Sequence, residues 1–185
     1  MRLTFRPFEE RDFAPLISWV PTADELVRWS AARFRHPLDE DQLRRHLESA
    51  RGSDPLEMFT VTREGRAVAH VELSMIWPHL SCRLSRVLVA PSERGRGVGR
   101  GTVRLAVVRA FEHHHVDRID LGTADDNEAA IGCYVKEGFV HVGTWPRAMT
   151  IGTRTVDVAW MTLIRSAWAR GIGTRAEPLS SAVTP

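Results

Sequence analysis

The segment from Val87 to Gly99 contains the residues best suited to bind an anion. A run of branched residues ends at Ala90-Pro91, and a helix is predicted to begin shortly afterwards. Three glycines cluster at that junction: Gly95, Gly97 and Gly99. The first N–H groups of a helix are unpaired and lie at the positive end of its dipole, and glycine lets an anion approach them closely. The segment therefore predicts a phosphate-binding turn, although a tight turn with close helix packing is an alternative reading of the same glycines.

Two common nucleotide-binding motifs are excluded in this segment. The P-loop requires a lysine directly after its last glycine, and none is present here. The dinucleotide pattern GxGxxG is also absent, because the glycines recur at every second position. Three arginines nevertheless add positive charge around the turn: Arg94, Arg96 and Arg100. The predicted ligand is thus a phosphate group held without either of these motifs.

Two motifs in this chain resemble those of the GNAT superfamily of N-acetyltransferases. Arg94-x-x-Gly97-x-Gly99, preceded by a Val-x-Val-x-Pro strand end, is similar to the superfamily's acetyl-CoA pyrophosphate motif. Further along, the segment from Asn127 to Phe139 is similar to its Asn-x-x-Ala-(x)3-Tyr-(x)3-Gly-Phe helix. The resemblance extends from about Leu3 to Trp168. The opening Leu-x-x-Arg-Pro and residues 157–163 resemble the branch that includes ribosomal-protein N-terminal (alanine) acetyltransferases.

The resemblance implies acetyl-CoA as cosubstrate and a set of residues that bind it. The strand end at Val87, Leu88 and Val89 would pair with the pantetheine arm through backbone groups, with one N–H facing the acetyl oxygen. The pyrophosphate would lie on Arg94, Gly95, Arg96, Gly97, Val98 and Gly99. Asn127, Ala130 and Tyr134 would contact the cofactor from the second motif.

The same resemblance gives Tyr134, the only tyrosine in the chain, the role of the acid that protonates the departing thiolate. The alternative is an aromatic residue packed with its hydroxyl on a backbone carbonyl. No carboxylate stands where many members carry their base, because Gly122 occupies that position. Glu72 is the preferred candidate, since it shares one face of the predicted strand Val68–Leu73 with His70. A solvated strand face is an equal alternative, and an amine that loses its proton to water would need no base.

The elements that position these residues alternate between strand and helix patterns. Helices are predicted from Glu9 to Val20, from Thr22 or Asp24 onwards, after Asp39, from Gly97 to about His113, and from Asn127 to Glu137. Strands are predicted at Leu3–Phe5, Met58–Thr62, Ala67–Ile76, Arg83–Val89, Asp117–Leu121, and about 140–145 and 156–163. With the resemblance, the predicted fold is a single α/β domain of GNAT type, with a central, mostly antiparallel, splayed sheet and helices on both faces.

Composition limits the remaining classes of protein. The chain has 185 residues, a formal net charge of +2 and 43% apolar residues, which favours one globular domain over a nucleic-acid or membrane-surface binder. We expect a domain over residues 1–168 and a flexible tail over 169–185. Cys82 and Cys133 predict two reduced thiols, and no metal site is predicted, because consecutive residues such as His113-His114-His115 point apart on a helix. No membrane span or signal peptide is recognisable, so a cytoplasmic location is predicted.

The predicted function is direct acetyl transfer from acetyl-CoA to a primary amine, either a protein N-terminus or a small amine such as an aminoglycoside or a polyamine. A non-catalytic acyl-CoA-binding sensor or docking module is the alternative. Arg94-Gly95-Arg96-Gly97 as an RNA-binding segment is disfavoured by the ordered elements around it, so no nucleic-acid partner is expected. Trp19, Trp29 and Trp77 are candidates to line a substrate slot, with core packing as the alternative. A homodimer through the final hairpin is a further expectation from the resemblance.

Overall fold

Within residues 3–50, 55–76 and 79–172, which the computed structural model describes, the chain forms seven strands and six α-helices. The strands are β1 (Thr4–Pro7), β2 (Leu56–Arg63), β3 (Arg66–Ile76), β4 (Ser81–Val89), β5 (Arg118–Ala124), β6 (Val140–Ile151) and β7 (Arg154–Ile164). The helices are α1 (Phe13–Ser18), α2 (Ala23–Ser30), α3 (Glu40–Ser49), α4 (Val98–Val108), α5 (Glu128–Lys136) and α6 (Arg165–Ile172).

The strands form one sheet in the order β1-β2-β3-β4-β5-β7-β6, and β4–β5 is its one parallel pair in the described residues. That pair is short. Residues 81–83 of β4 pair with residues 118–120 of β5, and the two strands then separate. The sheet is therefore splayed at its centre, as predicted, and β4 presents an edge from Leu84 to Val89 that β5 does not cover.

Two apolar cores lie on opposite faces of the sheet, because alternate residues of β3 point to opposite sides. Val71, Leu73 and Met75 are buried in the core that α4 and Phe111 cover. The other core is built from α1, α2 and α3, with Phe13, Leu16, Leu26, Trp29 and Leu43 as its main members. The predicted α/β fold with helices on both faces is confirmed.

Side chains at the helix starts explain why several of the predicted helices begin where they do. Thr22 accepts a hydrogen bond from the N–H of Glu25, and Asp39 accepts one from the N–H of Gln42. Asn127 does the same for the N–H of Ala130 at the start of α5. Each cap satisfies a donor that the first helical turn leaves unpaired.

The structure differs from the sequence prediction mainly toward the C-terminus. Strands β6 and β7 are several residues longer than predicted, because they pair beyond a wide bulge between Trp145 and Met149. Helix α6 continues to Ile172, past the predicted tail boundary at residue 169, and residues 173–185 lie outside the described residues, as does Trp77. Cys82 is buried and Cys133 half-buried, both as free thiols. Among the described helices, none is both long and apolar enough to cross a membrane.

Candidate active site

A cleft of about 1150 Å³ opens where β4 and β5 separate. The unpaired edge of β4 forms one wall, and Gly122 and Thr123 of β5 lie opposite. The glycine turn before α4 and one side of α5 close the cleft at one end, while α2, β6 and β7 close it at the other. Ten of the predicted cofactor-binding residues line it: Val87, Leu88, Val89, Arg94, Gly95, Gly97, Gly99, Asn127, Ala130 and Tyr134.

Two glycines of the turn adopt a backbone conformation that other residues rarely reach. Gly95 has φ +74° and Gly97, the N-cap of α4, has φ +78°. Apart from the adjoining residues of the chain, no atom of the described residues lies within 4 Å of the position that a Cβ would take on either glycine, so the space above the turn is open. The first N–H groups of α4 are therefore accessible to an anion, and this arrangement fits a diphosphate.

The arginines around the turn differ in their surroundings. Arg94 lines the cleft, and its Nε donates to the carbonyl of Val89 at 3.3 Å. Arg100 also lines the cleft, but its charge is offset by the buried carboxylate of Glu137 at 2.6 Å. Two predicted residues, Arg96 and Val98, do not line the cleft: Arg96 is exposed, and the Val98 side chain is buried in the core under α4. Val98 could contact the phosphates only through its backbone. Arg96 could contact them only if its side chain moved.

Tyr134 lies on α5, facing the cleft, with 8% of its surface exposed. Its ring packs edge-on against Phe139, with the ring centres 5.9 Å apart. None of the hydrogen bonds among the described residues involves its hydroxyl, so the alternative of a hydroxyl held by a backbone carbonyl is not observed. Burial raises the pKa of Tyr134 above its ordinary value, which keeps the hydroxyl protonated at neutral pH. An acid needs this state before it can donate.

The β4 wall of the cleft contains a bulge. His70 pairs with Leu88 and Glu72 with Ser85, so that two residues of β4, Arg86 and Val87, oppose Val71 alone. Arg86 has φ +48°, in the left-handed region. The indole N–H of Trp29 donates to the carbonyl of Arg86 at 2.9 Å. This bulge was not predicted, because an arginine in a strand pattern predicts ordinary extended backbone.

The predicted base, Glu72, lies behind the cleft wall and does not line the cleft. It shares a strand face with His70, as predicted, but this face is covered by α1–α3 and Glu72 is fully buried. Its carboxylate accepts from His46 at 3.0 Å, from His70 at 3.2 Å and from Arg86 at 2.5 Å. These donors hold the pKa of Glu72 far below its usual range despite the burial, which by itself raises it. A buried, ion-paired carboxylate of low pKa is poorly suited to deprotonate an amine, so the prediction of Glu72 as base needs correction in favour of a structural contact with Arg86.

Gly122 shows why this chain has no carboxylate at the position where many family members carry one. A Cβ on Gly122 would lie 3.2 Å from a methyl group of Val158 and 3.4 Å from the Trp160 ring. Both neighbours belong to β7, so a side chain at residue 122 would press on the adjacent strand. The residues in the cleft thus include no carboxylate from this part of β5.

The end of the cleft away from the glycine turn is lined by aromatic side chains. Trp19 and Trp29 come from the α1–α2 region, as the sequence analysis suggested, and each is 8% exposed. Trp145 of β6 and Trp160 of β7 lie opposite, with their ring centres 4.6 Å apart. The sequence analysis missed these last two, because their position in the final strands suggested only packing.

An ion pair joins two sides of this aromatic end. Arg28 of α2 donates to both oxygens of Asp126, in the loop before α5, at 2.6 and 2.9 Å. Arg28 lines the cleft, and Arg154 lies 3.6 Å from the same carboxylate. Two carboxylates line the cleft, Glu25 and Glu128, beside the basic residues Arg28, Arg83, Arg86, Arg94, Arg100 and Lys136.

Comparison with known proteins agrees with this geometry. The model of the Acetyltransferase (GNAT) family matches residues 23–139, which include both motifs and most of the cleft. Among solved structures, a spermidine N-acetyltransferase from Vibrio cholerae in complex with CoA and spermine superposes with a TM-score of 0.79 at 24% identity, covering 90% of this chain and 98% of that one. A ribosomal-protein-alanine N-acetyltransferase from Brucella melitensis superposes with a TM-score of 0.72 at 25% identity, covering 87% of this chain and 99% of the other.

Proposed function

This chain belongs to the acetyltransferase (GNAT) family and is an acetyl-CoA-dependent N-acetyltransferase, and we propose that the cleft between β4 and β5 is where an acetyl group passes directly to a primary amine. The observation that carries this proposal is the end of the β4–β5 pairing at Arg83 and Asp120. Beyond it the glycine turn, the open edge of β4 and the Tyr134 hydroxyl all face one space. Acetyl-CoA supplies the activated acetyl group as a thioester.

The residues of the chain would divide the work along the cleft. The N–H groups at the start of α4, with Arg94, would hold the diphosphate, because they combine a helix dipole with a full positive charge. The uncovered edge of β4 from Val87 to Val89 would pair with the amide groups of the pantetheine arm as an added strand does. One N–H of this edge would then stabilise the negative charge that develops on the acetyl oxygen.

Proton transfer at the sulfur is assigned to Tyr134. Attack of a neutral amine on the thioester carbonyl forms the C–N bond, and breaking of the C–S bond releases a thiolate. The Tyr134 hydroxyl, protonated and without another partner among the described residues, would donate its proton to that sulfur. The proton that the amine loses would leave through water, since the cleft is open and neither of its two carboxylates lies on β4 or β5.

For the acceptor, the α-amine of a polypeptide N-terminus fits the lining of the cleft better than a polyamine. A polyamine carries several positive charges, and each needs a carboxylate or an aromatic face. Among the described residues, the cleft lining offers two carboxylates, Glu25 and Glu128, and three of its six basic residues are already ion-paired, so several ammonium groups would have to share two carboxylates. A single amine attached to a neutral peptide can instead lie among Trp19, Trp29, Trp145 and Trp160. A polyamine stays the second candidate, because the Vibrio cholerae neighbour carries spermine with CoA.

Two measurements test the proposed function in sequence. Calorimetric titration with acetyl-CoA, with ATP and NAD as controls, tests the predicted ligand. A thiol-release assay then compares peptides beginning with alanine, serine or threonine with spermidine and an aminoglycoside. The proposal is supported if the free thiol of CoA is released only when a peptide is present, and not when the N-terminus of that peptide is already acetylated. Binding of acetyl-CoA without release for any amine would instead favour the non-catalytic sensor, and preference for spermidine would favour the second acceptor.

A further inference from the structure

The bulge in β4 is a conformation that other contacts must maintain. Arg86 has φ +48°, a backbone conformation that costs free energy for any residue with a Cβ. The neighbouring residues Val87 and Leu88 line the cleft directly after the bulge. The direction of their backbone groups therefore depends on how firmly Arg86 is held.

Two contacts hold Arg86 in this conformation. The Trp29 indole N–H donates to its carbonyl at 2.9 Å, and this ring is itself stacked on Phe34 with the ring centres 5.5 Å apart. The Arg86 guanidinium donates to Oε2 of Glu72 at 2.5 Å. Backbone and side chain of the same residue are thus tied to different elements, α2 and β3.

Glu72 is in turn fixed by donors from another helix and its own strand. Its Oε1 accepts from Nε2 of His46, on α3, and from Nε2 of His70. Nδ1 of His46 lies 3.4 Å from the Arg33 guanidinium, which can only donate, so Nε2 is the nitrogen of His46 that carries a proton. With every contact of the carboxylate made by a donor, Glu72 is an anion whose direction is set by its neighbours.

We propose that Glu72 and Arg86 are positioning residues, which together with Trp29 hold the β4 bulge in the shape that aims the Val87–Leu88 backbone at the acetyl carbonyl. This inference rests on the proposed acetyl transfer in the cleft. It assigns Glu72 a role through Arg86 rather than contact with the amine, which agrees with its full burial. A displacement of a reacting group by about 1 Å can lower a rate about 100-fold, so a loosened bulge would reduce turnover without removing any group that touches substrate.

The test compares three variants of the pair with wild type. Glu72→Gln keeps the side-chain volume but replaces an accepting oxygen with an amide N–H₂. Arg86→Gly removes the guanidinium while glycine tolerates the positive φ, and Arg86→Lys keeps a cation that can still reach the carboxylate. The measurements are kcat, KM for acetyl-CoA and for the acceptor, the calorimetric Kd for acetyl-CoA, and the thermal midpoint.

A matched control is the ion pair between Glu57 of β2 and Arg109, which follows α4. Its arginine is 23% exposed, similar to 20% for Arg86, and neither partner lines the cleft. The Glu57 side chain is 22% exposed against 1% for Glu72, so Glu57→Gln removes a more exposed ion pair between elements without touching the β4 bulge.

We expect Glu72→Gln and Arg86→Gly to lower kcat at least about tenfold while the acceptor KM stays within about twofold. KM for acetyl-CoA should rise by a smaller factor than kcat falls, because the Val87–Val89 edge also pairs with the pantetheine arm. Arg86→Lys should recover part of the loss, and Glu57→Gln should lower only the thermal midpoint. A rise in the acceptor KM, or a rise in the KM or Kd for acetyl-CoA as large as the fall in kcat, would overturn the proposal and make Arg86 a binding residue. A lower thermal midpoint of Glu72→Gln or Arg86→Gly, with kcat at the wild-type value, would also overturn the proposal. If the wild type acetylates no amine, the proposed function fails and this inference with it, whereas unchanged variants of an active wild type refute the inference alone.

Discussion

Tyr134 is the residue whose chemistry can be isolated most cleanly. Tyr134→Phe removes one hydroxyl that makes no hydrogen bond among the described residues, so packing against Phe139 should survive. Loss of a general acid lowers rates by about 100-fold or more. We expect kcat to fall by that order, with KM for acetyl-CoA and the thermal midpoint close to wild type, as measured by thiol release and calorimetry.

The pH profile gives a second check on Tyr134. Burial raises the pKa of Tyr134, and an acid acts in its protonated form, so the wild-type kcat should not fall between pH 7 and about 10 because of this group. If Tyr134→Phe turns over as fast as wild type, the thiolate takes its proton from water and the assigned acid is wrong.

Gly97 tests whether the backbone of the turn binds the diphosphate. At φ +78° an alanine is strained, and the free turn is expected to relax away from the binding conformation. Restoring that conformation on binding would cost about 1–2 kcal/mol, which corresponds to a rise of about 5–30-fold in the Kd for acetyl-CoA. Calorimetric titration of Gly97→Ala measures this directly.

The matched control for Gly97 is Gly65, in the turn between β2 and β3. It has φ +77° and, like Gly97, no atom within 4 Å of an added Cβ. Gly65→Ala therefore introduces the same backbone strain outside the cleft. An equal rise in Kd for both variants would mean that strain acts through the whole fold and that the turn has no special role.

At the scale of elements, the contact between α2 and the loop before α5 sets one boundary of the proposed acceptor site. Arg28 and Asp126 are each about one third exposed, so their ion pair contributes at most about 1 kcal/mol to folding. Because it lies at the aromatic end of the cleft, the same ion pair also affects acceptor binding. We expect Asp126→Asn to raise the acceptor KM about fivefold, the equivalent of about 1 kcal/mol, with KM for acetyl-CoA unchanged.

Asp41→Asn is the control for this boundary. Asp41 pairs with Arg44 at 2.7 Å on the exposed side of α3, and neither residue lines the cleft. Steady-state kinetics with the acceptor varied at saturating acetyl-CoA compare the two variants. A wild-type acceptor KM in Asp126→Asn would place the acceptor elsewhere.

The elements also show which parts of the molecule are predictable from sequence. Residues whose local chemistry decides their structure were predicted well: Thr22, Asp39 and Asn127 begin helices because each side chain caps its own backbone. Helix α6 was not predicted, because the Gly, Ser and Pro content beyond Trp168 hides it.

The same distinction applies within the site. The glycine turn and Tyr134 belong to motifs of local spacing, so the sequence located both. The bulge at Arg86 and the partners of Glu72 depend on residues from α2, α3 and β3, far apart in sequence. Contacts of this kind are set by the sheet register, which a single sequence does not encode locally.

At the scale of the whole molecule, the two halves of the sheet are joined by three residue pairs between β4 and β5. On the N-terminal side of this junction, a buried carboxylate links the segment after β1 to β1 and β2. Asp12, after β1, accepts two hydrogen bonds from Arg6 at 2.5 and 2.7 Å and one from Thr60 of β2 at 2.7 Å, and it is 4% exposed. Together these donors outweigh the effect of burial and hold the pKa of Asp12 below its usual value.

The lowered pKa of Asp12 sets the direction of a pH effect on unfolding. Because the folded state binds the proton more weakly than the unfolded state, the stabilisation is present above pH of about 4 and is lost as the pH falls through the folded pKa. Asp12→Asn should reduce the free energy of unfolding at pH 7 by about 3 kcal/mol, since Arg6 keeps its charge without its partner. The difference in stability between the two proteins should then shrink as the pH falls below about 4, as followed by urea unfolding at each pH.

The control for this experiment is Glu48→Gln on α3. Glu48 is exposed and its side chain makes no hydrogen bond or ion pair within residues 3–50, 55–76 and 79–172, so removal of its charge should leave the pH dependence of unfolding unchanged. A constant gap between wild type and Asp12→Asn from pH 7 down to pH 3 would contradict the prediction. In that case the loss would come from packing around Asp12 rather than from its charge, and acid unfolding would have to start at other carboxylates, such as Glu57 and Glu72, whose pKa values are also lowered.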